Sequence, residues 1–376
     1  MSETLQPADR ELIERESALP GMPTVLDPAA LAGLAGDDAT CRYLRYKPGT
    51  SLLASIRAGR EDLLLTAYPP GSGRLRRLAE RAERMGALRA LDPARGLVLA
   101  DATVDRALPG LAVARRRHRA LRGVVYKAGR RWVGIDGERV VKVHAPDAAV
   151  RAVWAHWRAA AHLETASLRG VDPDLGIVET AFVPGTGMRS LPGVERDRAA
   201  HRVGAAIARL HDVRAGASTD GDRSAESRAA LDGVSAVAPW ALERAERVAA
   251  IAGAARAGRG HGRLVHGDFS ADQVVVREDG SVVILDLDRA GTGDPLDDLA
   301  RWRAAAVVDG APGEDGFAAL AAGYASVRPV SLDALDALTA GALVLRFIEP
   351  FRLRRRDWAA RVEAILARAE RLAGIR

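Results

Sequence analysis

Apolar residues follow two different periods along the chain, and the change from one to the other divides the sequence. Strand-type apolar runs at residues 63–68 and 140–143 are each followed by a stretch of helical periodicity, at 74–87 and 147–166. Beyond residue 185 the helical period dominates. Its clearest examples there are residues 196–210, 332–345 and 357–372. The pattern predicts an α+β protein with a small β-rich part followed by a larger, mainly helical part.

Two segments, residues 46–110 and 126–185, share the order hairpin, strand, helix and strand. The order suggests a duplicated α+β unit, with convergent patterning as the alternative. The second segment has Lys142 in the strand where the first has Thr66. A lysine inside an apolar strand indicates a partner for its ammonium group, because an unpaired buried charge is costly.

The richest chemistry lies in residues 264–288, where Asp279-Gly280 separates two β-branched runs. This dipeptide predicts a two-residue hairpin turn, which sets Gln273 directly opposite Asp286. Opposed residues on one face have Cβ atoms roughly 4.5 to 5.5 Å apart. Because Mg²⁺ prefers oxygen ligands and leaves positions for nucleotide phosphates, the pair predicts half of a magnesium site.

Asp268 precedes Gln273 by five residues, and we expect its turn to open towards the same place. A carboxylate beside a metal-bound phosphate can orient a substrate hydroxyl and accept its proton. Lys142 would then neutralise the α- and β-phosphates. The arrangement predicts Mg²⁺ and a bound nucleotide as cofactors, and the resemblance described next implies that the nucleotide is ATP.

A known family has the same layout. His266-Gly267-Asp268 with an amide five residues after the aspartate, and an apolar strand ending in Asp286, resembles the aminoglycoside phosphotransferase and choline kinase family, relatives of the protein kinases. The resemblance covers residues 124 to 376. It implies a bilobal protein-kinase-like fold, with a small β-rich N-lobe and a larger mainly helical C-lobe, preceded here by an extra N-terminal α+β segment. It also implies an ATP-dependent phosphotransferase acting on a hydroxyl of a sugar, aminoglycoside or amino alcohol.

The resemblance also implies individual roles. By this resemblance Asp268 would be the catalytic base, Gln273 and Asp286 would be metal ligands, and Lys142 would bind phosphate. Asp288 is either a further metal ligand or an acid behind the ligands. The hinge that holds adenine comprises residues 179–183 and includes Glu179, Ala181, Phe182 and Val183.

Smaller features add to the resemblance. Gln273 stands where the family usually has Asn, and the maltokinase-like branch resembles this chain in carrying Gln there. Leu210-His211 and residues 297–300 resemble further family landmarks. The expected domains are an N-terminal cap at 1–115, which the repeated layout marks as a possible degenerate duplicate of the N-lobe, the N-lobe at 116–185, and the C-lobe at 186–376.

Composition and charge indicate the compartment of the protein and the kinds of partner it has. The net charge of +6 comes from arginines spread among 49 acidic residues, which is typical of a solvated surface and not of nucleic-acid binding. Cys41 is the single cysteine, no run of 18 apolar residues occurs, and the start lacks the features of a signal peptide. We therefore expect a cytoplasmic monomer or homodimer with a small-molecule partner, and no membrane or nucleic-acid partner.

Four groups of residues have simpler expected roles. His266 is expected to brace the turn through the backbone, with a metal-ligand role as the alternative. Helical spacing predicts core packing for Trp154, Trp157 and Phe347. The basic run 352–356 is expected to be a solvated turn or helix start, with contact to a phosphate or an acidic substrate as the alternative. The acids that would line a cleft for a polycationic acceptor are Asp294, Asp297, Asp298, Asp309, Glu314 and Asp315, whereas the positive net charge favours a neutral or anionic sugar or an amino alcohol.

Two other function classes remain open. A degenerate kinase-like protein would bind a nucleotide or metabolite for regulation without transferring phosphate. A haloacid-dehalogenase-type phosphatase would use Asp286 as a nucleophile after its strand, although Ala290 stands where that motif continues with Thr or Val.

Overall fold

The computed structural model describes residues 5–215, 223–257, 259–260, 262–310 and 316–375. They fall into two compact units. The first unit comprises Met1–Val150, Leu168–Phe182 and Glu349–Ala359, and the second comprises Arg151–Ser167, Val183–Ile348 and Ala360–Arg376. Among the described residues, no helix is long and apolar enough to cross a membrane.

The elements of the described residues follow in chain order. The strands are β1 Thr40–Lys47, β2 Ser51–Ala58, β3 Glu61–Ala67, β4 Leu88–Asp92, β5 Leu97–Asp101, β6 Arg122–Lys127, β7 Arg131–Asp136, β8 Arg139–His144, β9 Leu168–Asp172, β10 Ile177–Ala181, β11 Thr186–Gly187, β12 Arg263–Val265, β13 Val274–Val276, β14 Val282–Ile284 and β15 Gly291–Gly293. The helices are α1 Pro7–Arg15, α2 Met22–Leu26, α3 Pro28–Ala35, α4 Gly73–Arg84, α5 Leu111–Arg117, α6 Pro146–Ala160, α7 Gly193–Asp212, α8 Arg223–Val237, α9 Leu242–Arg256, α10 Pro295–Asp309, α11 Phe317–Ala325, α12 Leu335–Val344, α13 Glu349–Arg352 and α14 Trp358–Leu372.

The first unit contains two five-stranded antiparallel sheets with equivalent strand orders, β1-β2-β3-β5-β4 and β6-β7-β8-β10-β9. In each sheet a helix, α4 or α6, separates the third strand from the fourth. This order matches the repeated layout of hairpin, strand, helix and strand in the sequence. An origin by duplication stays a prediction.

One apolar core serves both sheets of the first unit. Val98 of β5, Trp132 of β7 and Val141 of β8 belong to one buried cluster. The helix α4 contributes Leu75 and Leu78 to it. Residues three apart lie on the same face of a helix, so the arginines between them face solvent. Burial of each of these apolar side chains stabilises the folded state by about 1.5 to 3 kcal/mol.

The second unit is mainly helical and carries two small sheets, β11-β13-β14 and β12-β15. The helices α7 and α11 pack closely at Gly204, where an added Cβ would lie 2.0 Å from the carbonyl oxygen of Leu320. Glycine at this position therefore permits the close approach of the two helices.

The predicted core role of two tryptophans is wrong. Trp154 and Trp157 on α6 are 61% and 67% exposed. Their rings are arranged edge to face, with the ring centroids 6.0 Å apart. The helix buries its alanines instead, including Ala152 and Ala159. Phe347 is fully buried, as predicted.

The expectation that the basic run 352–356 is solvated is wrong for Arg354. Its guanidinium donates to both carboxylate oxygens of Asp9, at 2.9 and 2.8 Å, and its side chain is 13% exposed. Trp358 Nε1 also donates to Asp9, at 3.1 Å. Asp9 itself is 1% exposed, so these donors replace the water that its carboxylate loses on burial. The chain segment 349–359 is thereby attached to α1.

We predict that Asp9→Ala destabilises the first unit by about 3 to 5 kcal/mol, because it leaves the partly buried Arg354 without its carboxylate. Chemical denaturation followed by circular dichroism measures the change. Glu11→Ala, at an exposed position on the same helix, is the control and should change stability by less than about 1 kcal/mol. Equal effects of the two substitutions would contradict the role assigned to Asp9.

Candidate active site

The turn at residues 266–270 follows β12 and brings Asp268 to its position. Gly267 has φ of 82°, and a Cβ there would lie 2.2 Å from the carbonyl oxygen of Arg289. Only glycine fits both this conformation and this space. Phe269 is fully buried and packs on Trp302 with ring centroids 4.9 Å apart. The turn is therefore anchored on either side of Asp268.

Asp298 of α10 holds the backbone of this turn. Its Oδ2 accepts from the N–H of His266 at 2.6 Å, and its Oδ1 accepts from the N–H of Gly267 at 2.9 Å. Nε2 of His211, on α7, also contacts Oδ2, at 3.0 Å. Asp298 and His211 are both fully buried. One carboxylate thus joins α7, α10 and the turn.

The charge of Asp298 is stabilised in spite of its burial. Burial by itself raises the pKa of this carboxyl, but the hydrogen bonds from His211 and the Gly267 N–H and the nearby rings of His211 and His266 lower it to about 2. The hydroxyl of Tyr324 lies 3.0 Å from Nδ1 of His211. A single histidine tautomer, with its proton on Nε2, satisfies both neighbours.

His266 braces the turn through the backbone, as predicted. Its Nε2 lies 2.9 Å from the carbonyl oxygen of Leu285, so Nε2 carries the proton and donates it. Its Nδ1 is then an acceptor and lies 3.3 Å from the N–H of Asp268. The ring connects the turn to the chain just beyond β14.

Asp268 is the carboxylate that this scaffold presents, and its side chain is 32% exposed. Arg289 Nε lies 4.0 Å from Oδ2, and Arg346 Nη2 lies 3.6 Å from Oδ1. Burial opposes ionisation, but Arg289, Arg346 and Arg301 outweigh it, so the pKa of Asp268 lies below its usual value. Asp286 acts in the opposite direction and raises this pKa. The two carboxylates are therefore close enough to interact.

The predicted register of the hairpin is wrong by one residue. The pairs are Val274 with Ile284 and Val276 with Val282, so Gln273 lies opposite Leu285 and not Asp286. The N–H of Leu285 donates to the carbonyl oxygen of Gln273 at 2.7 Å.

The turn explains the shift. Gly280 N–H donates to the carbonyl oxygen of Arg277 at 2.9 Å, and of the turn residues only Gly280, at φ 77°, has a positive φ. A two-residue type I′ turn needs positive φ at both central residues, whereas a three-residue loop needs it only at the last. The side chain of Asp279 instead accepts from the N–H of Ser281 at 2.8 Å.

Asp286 follows Leu285, the residue after β14, and its backbone departs from strand geometry. Its φ of 59° and ψ of 49° are left-handed, and a 3₁₀ turn over residues 287–289 begins after it. A non-glycine residue in this region is strained and marks a candidate functional position. The left-handed residue redirects the chain, so strand register alone does not decide where the carboxylates of Asp286 and Asp288 point.

The chemistry of these donors suits magnesium. Gln273, Asp286 and Asp288 provide an amide oxygen and carboxylate oxygens, the hard ligands that Mg²⁺ takes together with phosphates and water. Among the described residues, no group of three or more His, Cys, Asp and Glu side chains is arranged to hold a metal by itself. A site completed by nucleotide phosphates is compatible with both facts.

The predicted nucleotide-binding residues other than Val183 belong to the first unit. Lys142 lies in β8, opposite Val178 of β10. The carboxylate of Glu179 is held by His118 Nε2 at 3.0 Å and by Arg139 Nη1 at 2.9 Å. The carboxylate of Glu179 is thus occupied by internal partners.

The rest of the predicted hinge lies at the end of the first unit. The N–H of Phe182 donates to the carbonyl oxygen of Glu138 at 2.7 Å. Ala181 is the last residue of β10. The chain passes between the two units at Phe182 and Val183, within the predicted hinge.

Three of the acids expected to line an acidic cleft do not do so. Asp294, Asp297 and Asp298 are 3%, 3% and 0% exposed. Asp294 caps α10 by accepting from the N–H of Leu296 and also pairs with Arg259 at 2.5 Å, while Asp297 receives Arg256 Nη2 at 2.7 Å.

Of the other predicted cleft acids, Asp309 is paired with Arg189 at 2.9 Å, while Glu314 and Asp315 lie outside the described residues. Arg289 and Arg346 were not identified from the sequence as neighbours of Asp268. Arg346 is far from Asp268 in the chain, so no local signal could have found it.

The chain is similar to known proteins both in sequence and in fold. The model of a family described as the phosphotransferase enzyme family matches residues 130–330. No curated protein matches the chain.

Three solved structures show the similarity of fold. A choline/ethanolamine kinase family protein from Mesorhizobium loti is 18% identical, with a TM-score of 0.53 over 72% of this chain and 94% of that one. A choline kinase from Streptococcus pneumoniae is 9% identical, with a TM-score of 0.53 over 69% and 98%. The gentamicin complex of APH(2'')-IIa is 13% identical, with a TM-score of 0.50 over 70% and 96%. The predicted bilobal, protein-kinase-like fold class is confirmed.

We predict that Asp298→Asn destabilises the second unit by about 3 kcal/mol at neutral pH, because an amide nitrogen would face the buried donors. The depressed pKa makes this stabilisation complete above the ordinary value of 3.8 and removes it as the pH falls towards about 2. Urea denaturation between pH 7 and pH 2 should therefore show wild type and variant converging in acid. Glu243→Gln, at an exposed site, is the control, and a constant difference across this range would contradict the assignment.

Proposed function

The chain belongs to the phosphotransferase enzyme family, whose model matches more than half of its length, and from this membership we propose that it transfers the γ-phosphate of ATP to a hydroxyl of a small molecule. The supporting observation is Asp268, a carboxylate with a lowered pKa on a turn whose backbone is held by buried Asp298. Family membership favours transfer over the dehalogenase-type phosphatase alternative.

Asp268 is the proposed catalytic base. It is ionised at neutral pH and can accept a hydrogen bond from the acceptor hydroxyl, which orients an oxygen lone pair towards the γ-phosphorus. The hydroxyl oxygen forms the new bond to phosphorus, the bond from phosphorus to the β-γ bridging oxygen breaks, and the proton passes to Asp268. A low pKa makes Asp268 a weak base, which suits a reaction in which the proton leaves late.

Gln273, Asp286 and Asp288 are the proposed magnesium ligands. Bound Mg²⁺ would neutralise charge on the phosphate oxygens during transfer. The left-handed backbone at Asp286 fits a residue whose side chain is directed by function and not by strand geometry.

Lys142 is the proposed phosphate-binding lysine, and the backbone of Glu179, Ala181, Phe182 and Val183 is the proposed adenine-binding segment. The occupied carboxylate of Glu179 supports a role for the main chain there.

We further propose residues 1–115 as a cap that is a degenerate duplicate of the N-lobe at 116–185, with the C-lobe at 186–376. The equivalent strand orders support this division.

We also propose a cytoplasmic location. The chain has a single cysteine and therefore cannot form an internal disulfide, which fits a reducing compartment.

We predict that Asp268→Asn lowers the rate of phosphate transfer by about 10²- to 10⁴-fold, because the amide cannot accept the proton. Coupled measurement of ADP release and ³¹P NMR of the product would check it, with cooperative thermal unfolding as evidence of an intact fold. Asp279→Asn, on the exposed hairpin turn, should keep activity within about twofold. ATP binding without transfer in the wild-type protein would favour the regulatory alternative instead.

A second prediction concerns the metal. Asp286→Asn should raise the Mg²⁺ concentration needed for half-maximal rate by at least about tenfold. Substitutions of residues around a bound metal commonly lower the metal affinity by this factor or more. Titration of the rate with free Mg²⁺ at fixed ATP measures it. Glu278→Gln, exposed on the same hairpin, should leave the titration unchanged. An unaltered requirement in Asp286→Asn would exclude Asp286 as a ligand.

A further inference from the structure

Two arginines of the second unit lie directly opposite each other at the start of β12. Arg214, two residues after α7, forms an antiparallel bridge with Arg263, the first residue of β12. The residues that flank this pair make the hydrogen bonds, with N···O distances of 2.9 and 3.0 Å on the two sides. Arg214 and Arg263 are therefore a non-hydrogen-bonded pair, the arrangement in which opposed side chains lie closest. Like charges in directly opposed positions destabilise a pair of strands.

Neither arginine is neutralised by a carboxylate within the part of the chain that the structure describes. Arg263 Nη1 donates to the carbonyl oxygen of Asp212 at 2.8 Å, a hydrogen bond that gives the guanidinium no counter-charge. The side chain of Arg214 is exposed and forms no ion pair with a described carboxylate. Two opposed guanidinium groups without an acid between them are suited to bind an anion.

The two arginines line an open pocket of about 500 Å³. Arg259, Arg328 and Asp294 line it as well. Nε of Arg259 lies 2.5 Å from the carboxylate of Asp294, and Nη1 of Arg328 lies 3.3 Å from that of Asp212. Each of these acids therefore has an arginine of its own, and the opposed pair supplies the excess positive charge.

We propose that this pocket binds a small phosphate monoester, with its phosphate between the guanidinium groups of Arg214 and Arg263. Such a phosphate carries a charge of about −1.5 to −2 at pH 7 and three acceptor oxygens, so it matches two arginines better than a carboxylate does. Its binding removes the repulsion between the opposed charges. The volume of the pocket lies in the range of small-molecule sites and leaves room for the organic part of the ester.

The pocket is separate from the candidate active site. Among the described residues that line it, none is the proposed base or a proposed metal ligand. Arg263 is the first residue of β12, whereas the turn that carries Asp268 follows the last residue of this strand. The proposal therefore concerns a second site and does not depend on the transfer reaction.

Isothermal titration calorimetry of the whole protein without nucleotide tests the binding, with glycerol 3-phosphate and glucose 6-phosphate as probes. We expect saturable binding of at least one ester, and none of glycerol or glucose. Inorganic phosphate and sulfate should bind at least about tenfold more weakly than the better ester, because they lack the organic part that the pocket accommodates. Equal affinity for free phosphate, sulfate and both esters would indicate an adventitious ion only and would overturn the assignment, as would the absence of saturable binding.

Variants of Arg214 locate the binding site. Arg214→Gln should weaken binding of the ester at least about tenfold, because it removes a charge-assisted hydrogen bond to the phosphate. Arg214→Lys should keep part of the affinity, since it retains the charge without the fork. Arg247→Gln, at an exposed position on α9, is the matched control and should bind like the wild type. Unchanged affinity in Arg214→Gln would mean that the ester binds elsewhere and would refute the proposal.

Thermal unfolding separates loss of the site from loss of the fold. Arg214→Gln removes one of two opposed like charges, so we expect the variant without ligand to be at least as stable as the wild type. The ester should raise the unfolding midpoint of the wild type and not that of Arg214→Gln, because a ligand that binds the folded state stabilises it by mass action. An equal rise in both proteins would contradict the assignment of Arg214 to the site.

Discussion

A single buried carboxylate, that of Asp298, organises the second unit of this protein. It accepts two backbone N–H groups from the turn that carries Asp268 and is in contact with His211 of α7. A buried carboxylate without such donors would be neutralised or would destabilise the fold. Because the donors come from two segments outside α10, the turn and α7, the charge of Asp298 is satisfied only when these segments are assembled. The same contacts that pay for its burial fix the position of the candidate base.

The first unit uses buried acids in a similar way. Asp62 accepts from Nε1 of Trp132 at 2.7 Å and pairs with Arg57 at 2.9 Å, which connects the two sheets. Asp105 accepts from the N–H of Gly129 at 2.7 Å and from the hydroxyl of Tyr126 at 3.0 Å. Burial raises the pKa of Asp105, and the hydrogen bonds only partly reverse this effect. These contacts tie the turn between β6 and β7 to the N-terminal segment, so residues 1–115 contribute directly to the shape of the adjoining sheet.

Electrostatics at the candidate site result from the opposition of acids and arginines. Asp286 raises the pKa of Asp268, whereas Arg289 and Arg346 lower it, and the arginines prevail. The carboxylate of Asp268 is consequently ionised, and it is partly exposed. By contrast, the carboxylate of Asp294 caps α10 and that of Asp297 pairs with Arg256. The candidate site therefore combines carboxylates and guanidinium groups within a short distance of one another.

Local sequence signals were sufficient to predict several helices and the family of the protein. Periodicity predicted α4, α7, α12 and α14, and the spacing of His266, Asp268 and Asp286 indicated the family that the comparisons then supported. Such signals act between residues that are close in the chain, where helix period, strand alternation and turn chemistry are decided. The hairpin existed as predicted, but its register depended on the φ of Asp279, which the Asp-Gly dipeptide alone does not determine.

Tertiary structure decided burial and charge pairing. Helical spacing could not show that α6 buries its alanines and exposes Trp154 and Trp157, since either face of the helix is apolar. Nor could it show that Arg354 is held by Asp9, or that Arg346 approaches Asp268. Each of these contacts joins residues far apart in sequence, and their energies depend on how much water the folded chain excludes around them. The sequence thus determined the elements and the type of chemistry, whereas the assembled fold determined which charges meet at the site.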